Sequence, residues 1–452
     1  MKVGIVGGGV AGMAAAYRLI QRGHRVALYE ASPFLGGLVR TFEVGGGRLE
    51  SFYHHLFSTD TTIVRLIEEL GLGDRLVWVD SKVGFYHGGR LYDFVTPLDL
   101  LRFTPAPLID RVRMGLAALY LRRQTDWHRY ESVTAAEWVQ RYMGKGAYDA
   151  VWGPLLRGKF GDAHDELAMA WLWSKIHLRF ASRRGGPMQK EQLGYLMGSF
   201  GVYIDELERR LRASNLADIH AGRAVQEVVV EEGRARGLLL ADGERVDCDA
   251  VVACMPAHVF GKLAPQLPSD YAAKLTGTRW QWALCYIMAL KQPLSNIYWL
   301  NIADDEVPFI AAVEHTNFIP PEHYGGHHIV YLSNYLHAEH PYLGMDIDEI
   351  EREYLPHLTK INPAFSPDWI AERWLFKGPY AQPIVTRGYR DQIPDHRTPI
   401  PGLYLATMSQ IYPEDRGQNY SIAMGEKVAA LAVEDFEREG GGTNAAPLAT
   451  EL

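Results

Sequence analysis

A chain of 452 residues is longer than one hydrophobic core usually supports, so we expect two domains. Hydrophobic residues make up 47% of the chain and charged residues 22%, which excludes an intrinsically disordered protein. The net charge of −8 argues against nucleic acid as a partner, and no apolar run reaches the roughly 18 residues that a membrane-spanning helix needs.

The first elements of the chain predict a dinucleotide-binding turn. A short apolar strand runs from Val3 to Val6, a glycine-rich turn follows, and a helix extends from about Val10 to Gln21. The first glycine of the motif permits a tight bend, the second lets the backbone approach a pyrophosphate, and the third lets the helix pack closely on the strand. The free N–H groups at the helix N-terminus attract phosphate. The cofactor contacts expected in this turn are Gly7, Gly9, Val10, Ala11 and Gly12.

The second strand supplies an acidic residue. It runs from Arg25 to Tyr29 and ends at Glu30, which lies 18 residues past Gly12. A carboxylate here can accept hydrogen bonds from a ribose 2′-OH, whereas it repels the 2′-phosphate of NADP. We therefore expect Glu30 and the adjacent Ala31 to contact the cofactor.

The segment from Ser32 to Phe42 carries a second glycine pair. It resembles the flavin enzymes of the amine oxidase, protoporphyrinogen oxidase and phytoene desaturase superfamily and, more distantly, UDP-galactopyranose mutase. The resemblance implies FAD as the cofactor, with Gly36, Gly37 and Arg40 along its pyrophosphate and ribityl chain. It also implies an α/β fold, in which a Rossmann-like FAD-binding domain (a parallel sheet with helices) is interleaved with an α+β substrate domain that contains an antiparallel sheet.

The cysteines bear on the compartment and on cofactor attachment. Cys248, Cys254 and Cys285 are too few and wrongly spaced for a zinc site or a disulfide framework, which fits a reducing, cytoplasmic compartment. No cysteine follows Cys285, so the C-terminal thioether that holds the flavin in some amine oxidases has no candidate. We expect FAD to be bound non-covalently.

A pair of histidines follows the next predicted hairpin. In both similar families a segment at this place in the chain passes beside the isoalloxazine ring, so the resemblance makes His54 and His55 candidate catalytic residues. Ordinary packing and backbone hydrogen bonding remain the alternative. A helix is predicted next, from Thr61 to Gly71, with Asp60 or Thr61 as its cap.

From Lys82 to about Ser199 the sequence is helical, aromatic and basic. One helix, Leu108 to Arg123, carries apolar residues on one side and arginines on the other. We interpret it as a core-facing helix with a solvated basic face, in preference to a helix that lies on a membrane or lines an apolar channel. Further along, tryptophans alternate with basic residues, which suits either phosphate or carboxylate binding or a helical core with salt bridges. These residues are Trp152, Arg157, Lys159, Trp171, Trp173, Lys175, Arg179, Arg183 and Arg184.

The chain then returns to the nucleotide domain. A helix is predicted from Val202 to Ala213, and by the resemblance Val225 contacts the adenine of FAD. A buried strand that begins at Asp249 ends beside Met255, a further expected cofactor contact.

A second excursion, from about Leu263 to Tyr389, predicts an antiparallel sheet rich in Tyr and Trp, and the resemblance implies that this sheet covers the substrate site. Its predicted strands are Trp282 to Leu290, Ile297 to Ile302, Phe309 to Glu314 and His328 to Tyr335. A surface helix from Ile347 to Lys360 is expected to break near Pro356.

A final strand and helix complete the flavin domain. The strand ends without the Gly-Asp pair that is usual in the similar families, and Glu414 or Asp415 is the candidate to replace that acid. The helix N-terminus, with Gln418 and Asn419, is expected to face the flavin, where its dipole stabilises negative charge.

These elements predict an FAD-binding domain of residues 1–81, 200–262 and 390–439, a substrate domain of residues 82–199 and 263–389, and a disordered tail at 440–452. The resemblance implies an FAD-dependent oxidase, dehydrogenase or desaturase that accepts a hydride from a C–H or C–N bond of an apolar or amphipathic substrate. The alternative is non-redox flavin catalysis on a nucleotide sugar. An isoprenoid, a lipid-linked compound and a sugar nucleotide all fit as the small-molecule substrate. No metal is expected, and peripheral contact with a membrane is left open.

Overall fold

The computed structural model describes residues 1–181 and 191–440. Arg183, Arg184 and all but the first residue of the predicted tail lie outside the described residues. The strands of the described part are β1 Lys2–Val6, β2 Arg25–Glu30, β3 Thr41–Val44, β4 Gly47–Glu50, β5 Leu56–Phe57, β6 Leu76–Asp80, β7 Val83–His87, β8 Arg90–Asp93, β9 Gln192–Leu196, β10 Ala217–Ala221, β11 Val225–Glu231, β12 Arg234–Leu240, β13 Arg245–Asp247, β14 Ala250–Ala253, β15 Trp280–Leu290, β16 Trp299–Ile302, β17 Ala311–Glu314, β18 His328–Leu336, β19 Ile370–Pro383 and β20 Leu403–Leu405.

The α-helices of the same ranges are α1 Val10–Gln21, α2 Thr61–Glu69, α3 Pro97–Arg102, α4 Leu108–Arg123, α5 Ala135–Tyr142, α6 Lys145–Ala147, α7 Gly153–Phe160, α8 Met169–Ala181, α9 Gly201–Ala213, α10 Ala257–Leu263, α11 Ser269–Thr276, α12 Ile347–Tyr354, α13 Leu358–Ile361 and α14 Gln418–Arg438.

The predicted parallel sheet is confirmed, and its five strands follow the order β10-β2-β1-β14-β20. Its central strand is buried on both faces: Val3 and Ile5 contact the core beneath α1 and α14, and Val6 joins the core beneath β11 to β13. The two helices pack so closely that a Cβ at Gly425 would lie 2.1 Å from the carbonyl oxygen of Ala11. This sheet holds the glycine-rich turn at the carboxyl end of β1, the edge at which open α/β sheets bind ligands.

The second large sheet has seven strands in the order β19-β15-β18-β17-β16-β7-β8. The four predicted strands are present with shifted ends, and the pairing is antiparallel except between β7 and β16. The sequence interpretation missed the longest strand, β19, and the hairpin of β7 and β8, which lies in a stretch read as helical. The predicted break of the surface helix is confirmed, because α12 ends at Tyr354 and α13 begins at Leu358.

Three smaller sheets accompany the large ones in the described part of the chain, and one of them consists of β11, β12 and β13. The hairpin of β3 and β4 follows the second glycine pair, and β9 pairs with both β5 and β6. Through Leu193, Tyr195 and Leu196, β9 packs into the same core as the parallel sheet. The division of the chain into two domains stays a prediction.

The start of α2 corrects the expected cap. Asp60 does precede the helix, but its carboxylate accepts a hydrogen bond from the N–H of Phe57 (2.8 Å) instead of one from the helix. The Oδ1 atom of Asn419 accepts hydrogen bonds from the N–H groups of Thr62 (3.0 Å) and Ile63 (3.1 Å). A side chain from the far end of the sequence therefore caps α2.

The prediction for α4 is right in its bounds and wrong in its orientation. The helix carries two apolar stripes, and only the stripe of Met114, Ala117 and Leu121 is buried, against its helical neighbours. The other stripe faces outward: Leu108 is 60% exposed and Leu116 is 63% exposed. We define the α3–α4 apolar surface as Leu98, Leu101, Leu108, Ile109, Val112, Leu116, Leu119 and Tyr120, all of which are exposed. No helix in the described ranges has both the length and the apolar character needed to cross a bilayer.

Candidate functional site

A cavity of about 1080 Å³ lies between the glycine-rich turn, the seven-stranded sheet and the helices α3, α4, α7 and α8. Its wall continues to Leu101, Val112, Leu116 and Leu119, which are also exposed, so the cavity opens at the α3–α4 apolar surface. Ten of the residues predicted from the sequence line it: Gly9, Val10, Ala11, Gly36, Gly37, His54, His55, Met255, Gln418 and Asn419.

The three spaced glycines of the turn have different surroundings. A Cβ at Gly7, where φ is +105°, would lie 2.3 Å from the carbonyl oxygen of Cys254, and one at Gly12 would lie 1.9 Å from the carbonyl oxygen of Gly7. A Cβ at Gly9 would meet nothing within 4 Å, and Gly9 lines the cavity. Gly7 and Gly12 are therefore required by the packing of the protein itself, whereas Gly9 borders open space.

Glu30 lies beside the turn, behind the cavity lining. Its carboxylate accepts hydrogen bonds from the N–H groups of Gly8 (2.7 Å) and Ser32 (2.8 Å). Ala31 is exposed, and Val225 is half-buried at the start of β11. The chain just before Val225 contacts the end of β2, because the N–H of Arg223 donates a hydrogen bond to the carbonyl oxygen of Glu30 (2.8 Å).

The second glycine pair lies against the first turn. The N–H of Gly36 donates to the carbonyl oxygen of Gly8 (2.9 Å), and a Cβ at Gly37 would lie 3.3 Å from the Cα of Gly9. Arg40 points elsewhere: its guanidinium carbon lies 5.2 Å from the centre of the Phe376 ring, a cation–π distance. The structure thus brings the two glycine segments together and leaves Arg40 outside the cavity lining.

The two histidines lie on the cavity wall with different partners. The Nδ1 atom of His55 is 3.1 Å from the hydroxyl of Tyr298, whereas the buried Nδ1 atom of His54 has no hydrogen-bond partner among the described residues. Burial, and then the charge of Arg416, lower the pKa of His54 to about 4. Burial, and then the charges of Arg179 and Lys175, lower the pKa of His55 to about 3. Both imidazoles are therefore neutral at pH 7.

The first turn of α14 forms another part of the wall. Gln418 accepts a hydrogen bond from the hydroxyl of Tyr203 (2.7 Å), and its Nε2 atom is buried with no partner in the part of the chain that the structure describes. A buried amide that lacks an acceptor at a cavity wall is a position at which a ligand can supply one.

A group of charged residues on the wall was only partly anticipated. Lys159 and Lys175 belong to the basic and aromatic stretch that the sequence left open, and both contact Asp415. The sequence interpretation considered Asp415 as a cofactor ligand and did not include its neighbour Arg416. Arg416 could have been predicted as a site residue, because Asp415 and Arg416 directly precede a helix that was expected to face the flavin.

Comparison with known proteins adds an independent observation. The family model for flavin containing amine oxidoreductases matches residues 10–414. The chain belongs to this family. A zeta-carotene desaturase of Synechocystis sp. is 27% identical over 297 residues, which are 59% of this chain and 60% of that relative. The chain thus matches less than two thirds of that relative's length.

Solved structures show the same fold over nearly the whole chain. A protein from Exiguobacterium sp. 255-15, provisionally named a protoporphyrinogen oxidase, superposes with a TM-score of 0.76 at 20% identity, covering 96% of this chain and 99% of that one. Reduced UDP-galactopyranose mutase superposes with a TM-score of 0.71 at 16% identity, covering 96% and 97%. At these identities the likeness establishes the fold, which both enzymes share.

The residues present fit the flavin that the family name implies. Gly9 leaves room for a group to approach its backbone, and the first residues of α1 line the same space. At the other end, Gln418 offers a buried N–H group that lacks an acceptor within the described ranges. A dinucleotide therefore has space at the glycine turn and a hydrogen-bond donor near α14.

Proposed function

We propose that the protein is an FAD-dependent oxidoreductase that accepts a hydride from a C–H or C–N bond of an apolar or amphipathic substrate. The observation that carries this proposal is a single cavity that joins the glycine-rich turn to an apolar mouth. Membership of the flavin containing amine oxidoreductase family and the similarity to a desaturase support it.

Three groups of residues hold FAD in this proposal. The lining residues of the first turn, Gly9, Val10 and Ala11, and the pair Gly36 and Gly37 face the pyrophosphate, while Gly7 and Gly12 shape the turn and Arg40 stays outside the lining. Glu30, Ala31 and Val225 border the ribose and adenine, and Met255, Gln418 and Asn419 border the flavin ring. Binding is non-covalent, since no cysteine follows Cys285. When bound, FAD supplies the hydride acceptor.

The chain itself orients the substrate and excludes water. A neutral imidazole can accept a proton, and the partnerless Nδ1 of His54 makes this side chain the stronger candidate of the two. His55 is held by its contact with Tyr298, which suits a positioning residue. The apolar wall keeps the reacting bond away from solvent.

The mouth of the cavity indicates how an apolar substrate arrives. Ile109 is 70% exposed on the α3–α4 apolar surface, and Arg102, Arg122 and Arg123 are exposed at the ends of the same two helices. Exposed apolar side chains flanked by arginines suit contact with an anionic bilayer. We therefore propose peripheral contact with a membrane, from which an isoprenoid or other lipid enters the cavity. A cytoplasmic location is part of the same proposal.

The deciding experiment is anaerobic mixing of the purified, oxidised protein with candidate lipids and nucleotide sugars, while the flavin absorbance band is recorded. Bleaching of the band by a lipid, with release of FAD on acid precipitation, is the expected result. Isomerisation of a nucleotide sugar only after dithionite reduction, without bleaching by any candidate, would replace this proposal with mutase chemistry. A protein that binds no flavin on reconstitution would refute both functions.

A further inference from the structure

The cavity wall carries a cluster of positive charge on α7, α8 and the segment before α14. We define the cation cluster as Lys159, Lys175 and Arg416. The Nζ atoms of Lys159 and Lys175 lie 2.6 Å and 2.9 Å from the same oxygen, Oδ2 of Asp415. Arg416 donates from Nε to Oε1 of Gln382 (3.1 Å) and from Nη2 to the hydroxyl of Tyr335.

The carboxylate of Asp415 already accepts hydrogen bonds at both oxygens, so it has few acceptor positions left for these cations. Its second oxygen, Oδ1, accepts hydrogen bonds from Trp171 Nε1 (3.2 Å) and Gln382 Nε2 (3.2 Å). Each lysine ammonium group carries three N–H donors, and within the described residues each makes one hydrogen bond, to Asp415. Several charged donors therefore remain for another acceptor.

The charges on the wall do not balance. Five of the lining residues are cationic and two are acidic, although the chain as a whole carries a net charge of −8. The cations are Arg111, Lys159, Lys175, Arg179 and Arg416, and the acids are Asp60 and Asp415. Arg179 has its own partner in Glu191 at 3.9 Å. The cation cluster is still left with more positive charge than its carboxylates neutralise.

Aromatic contacts compensate only part of this excess. The ammonium of Lys159 lies 5.0 Å from the ring centre of Trp171 and 5.7 Å from that of Tyr335. Such contacts offset only a small part of the cost of desolvating an unpaired charge. Burial, opposed in part by Asp415, accordingly lowers the pKa of Lys159 to about 7.

We infer that the cation cluster binds an acidic group, a phosphate or carboxylate, at the end of an apolar substrate chain. This inference rests on the proposed function and narrows its substrate class from apolar compounds in general to acidic amphiphiles. The apolar wall between the cluster and the mouth accommodates the chain, and the lysines hold the head by charge-assisted hydrogen bonds. An ammonium head group would be repelled at the same place.

The test is calorimetric titration of the purified, flavin-loaded full chain with farnesyl phosphate, palmitate, farnesol and UDP. Farnesyl phosphate or palmitate is expected to bind at least about tenfold more tightly than neutral farnesol, because charge-assisted hydrogen bonds are lost with the alcohol. Whichever acid binds more tightly identifies the head group as phosphate or carboxylate. UDP, which lacks an apolar chain, is expected to bind weakly, and tight binding of UDP would overturn the amphiphile assignment.

Substitutions in the cation cluster then test whether the acidic head group of the ligand binds there. Lys175→Gln leaves Lys159 paired with Asp415 and should weaken the acidic ligand by about tenfold while farnesol binding stays constant. The control is Lys145→Gln, the same change at an exposed lysine outside the cavity.

Flavin content and thermal stability are recorded for every variant. If Lys175→Gln shifts the flavin's reduction potential but leaves acid binding unchanged, the cluster serves the cofactor and the inference is wrong. Equal binding of farnesol and farnesyl phosphate would also overturn it. Since calorimetry needs no turnover, acid binding without any flavin reduction would refute the proposed oxidoreductase and leave the binding site standing.

Discussion

The backbone of Gly12 rests directly on the carbonyl oxygen of Gly7, so that a Cβ on Gly12 would lie 1.9 Å from that oxygen. No such contact exists at Gly9, where an added Cβ meets nothing within 4 Å. Gly12 is therefore needed for folding, whereas Gly9 is needed only to leave space for the proposed cofactor.

Gly9→Val should fold with the thermal midpoint of the flavin-free parent and bind no FAD, because its side chain enters the space proposed for the pyrophosphate. Gly12→Val should fail to fold, since no side-chain rearrangement relieves a clash with backbone. Circular dichroism and the flavin absorbance of the purified proteins check both. A yellow Gly9→Val protein with one FAD per chain would show that the pyrophosphate lies elsewhere.

Glu30→Ala should weaken FAD binding by about tenfold or more and also lower the thermal midpoint. The carboxylate accepts two backbone hydrogen bonds that shape the turn, and losing a charged acceptor costs about 1.5 to 3 kcal/mol. Flavin release measured by fluorescence and a melting curve report the two effects. Glu43→Ala, at an exposed carboxylate, is the matched control and should change neither.

His54→Phe should slow flavin reduction at saturating substrate by about a hundredfold with a smaller effect on substrate binding, as expected for loss of a proton acceptor. His55→Phe removes the contact with Tyr298 and should affect binding more than the reduction rate. Anaerobic stopped-flow absorbance separates the two quantities. Parental reduction rates in both variants would leave the histidines with a packing role.

Glu50 makes the folded protein sensitive to pH. It is 1% exposed, and burial is the main reason that its pKa rises from 4.5 to about 7, despite hydrogen bonds from Phe200 and Tyr195. Between these two pH values the unfolded chain has released a proton that the folded chain still holds. The contribution of Glu50 to stability is therefore full below about pH 4.5 and is lost as the pH rises towards 7.

Glu50→Gln cannot ionise, so its stability relative to the parent should increase from pH 4.5 to 7, by up to about 3 kcal/mol. Urea denaturation of both proteins across this range measures the difference. Glu43→Gln should track the parent at every pH. A constant difference between Glu50→Gln and the parent would mean that folding does not raise the pKa of Glu50.

Replacing Ile109 and Leu116 together by Gln should weaken binding to phosphatidylglycerol vesicles by at least about tenfold, because each apolar side chain stabilises the bound state by up to about 1.5 to 3 kcal/mol when buried. Both residues are exposed, so the melting temperature should not fall. Leu91→Gln, on β8, is the control for an exposed leucine outside the surface. Vesicle flotation that is the same for all three proteins would exclude this surface as the contact.

The sequence was most informative where local geometry decides the structure. The turn from Gly7 to Gly12 could be predicted because steric limits on the backbone leave few alternatives to glycine. The bounds of α4 were predicted as observed, but its orientation was not, because Met114 and Leu116 belong to two similar apolar stripes. Which stripe is covered depends on helices elsewhere in the chain.

In the candidate site, too, the features that depend on distant parts of the chain could not be predicted. Its glycines could be predicted from one continuous segment, whereas the cation cluster combines Lys159, Lys175 and Arg416 from separate parts of the fold. No local pattern specifies that these side chains share one carboxylate. Strand β19 was missed for a related reason: much of it is only half-buried, so it lacks the alternation that marks a strand.

The cap that Asn419 places on α2, and the contact of Gly425 with Ala11, have a consequence for biosynthesis. The glycine-rich turn leaves the ribosome early, but its helical neighbour α14 follows about 400 residues later, some 20 to 80 seconds at ordinary elongation rates. Throughout that interval the nascent nucleotide-binding half lacks one wall and exposes apolar residues of α1. FAD binding that uses Gln418 and Asn419 can therefore begin only after α14 has been synthesised.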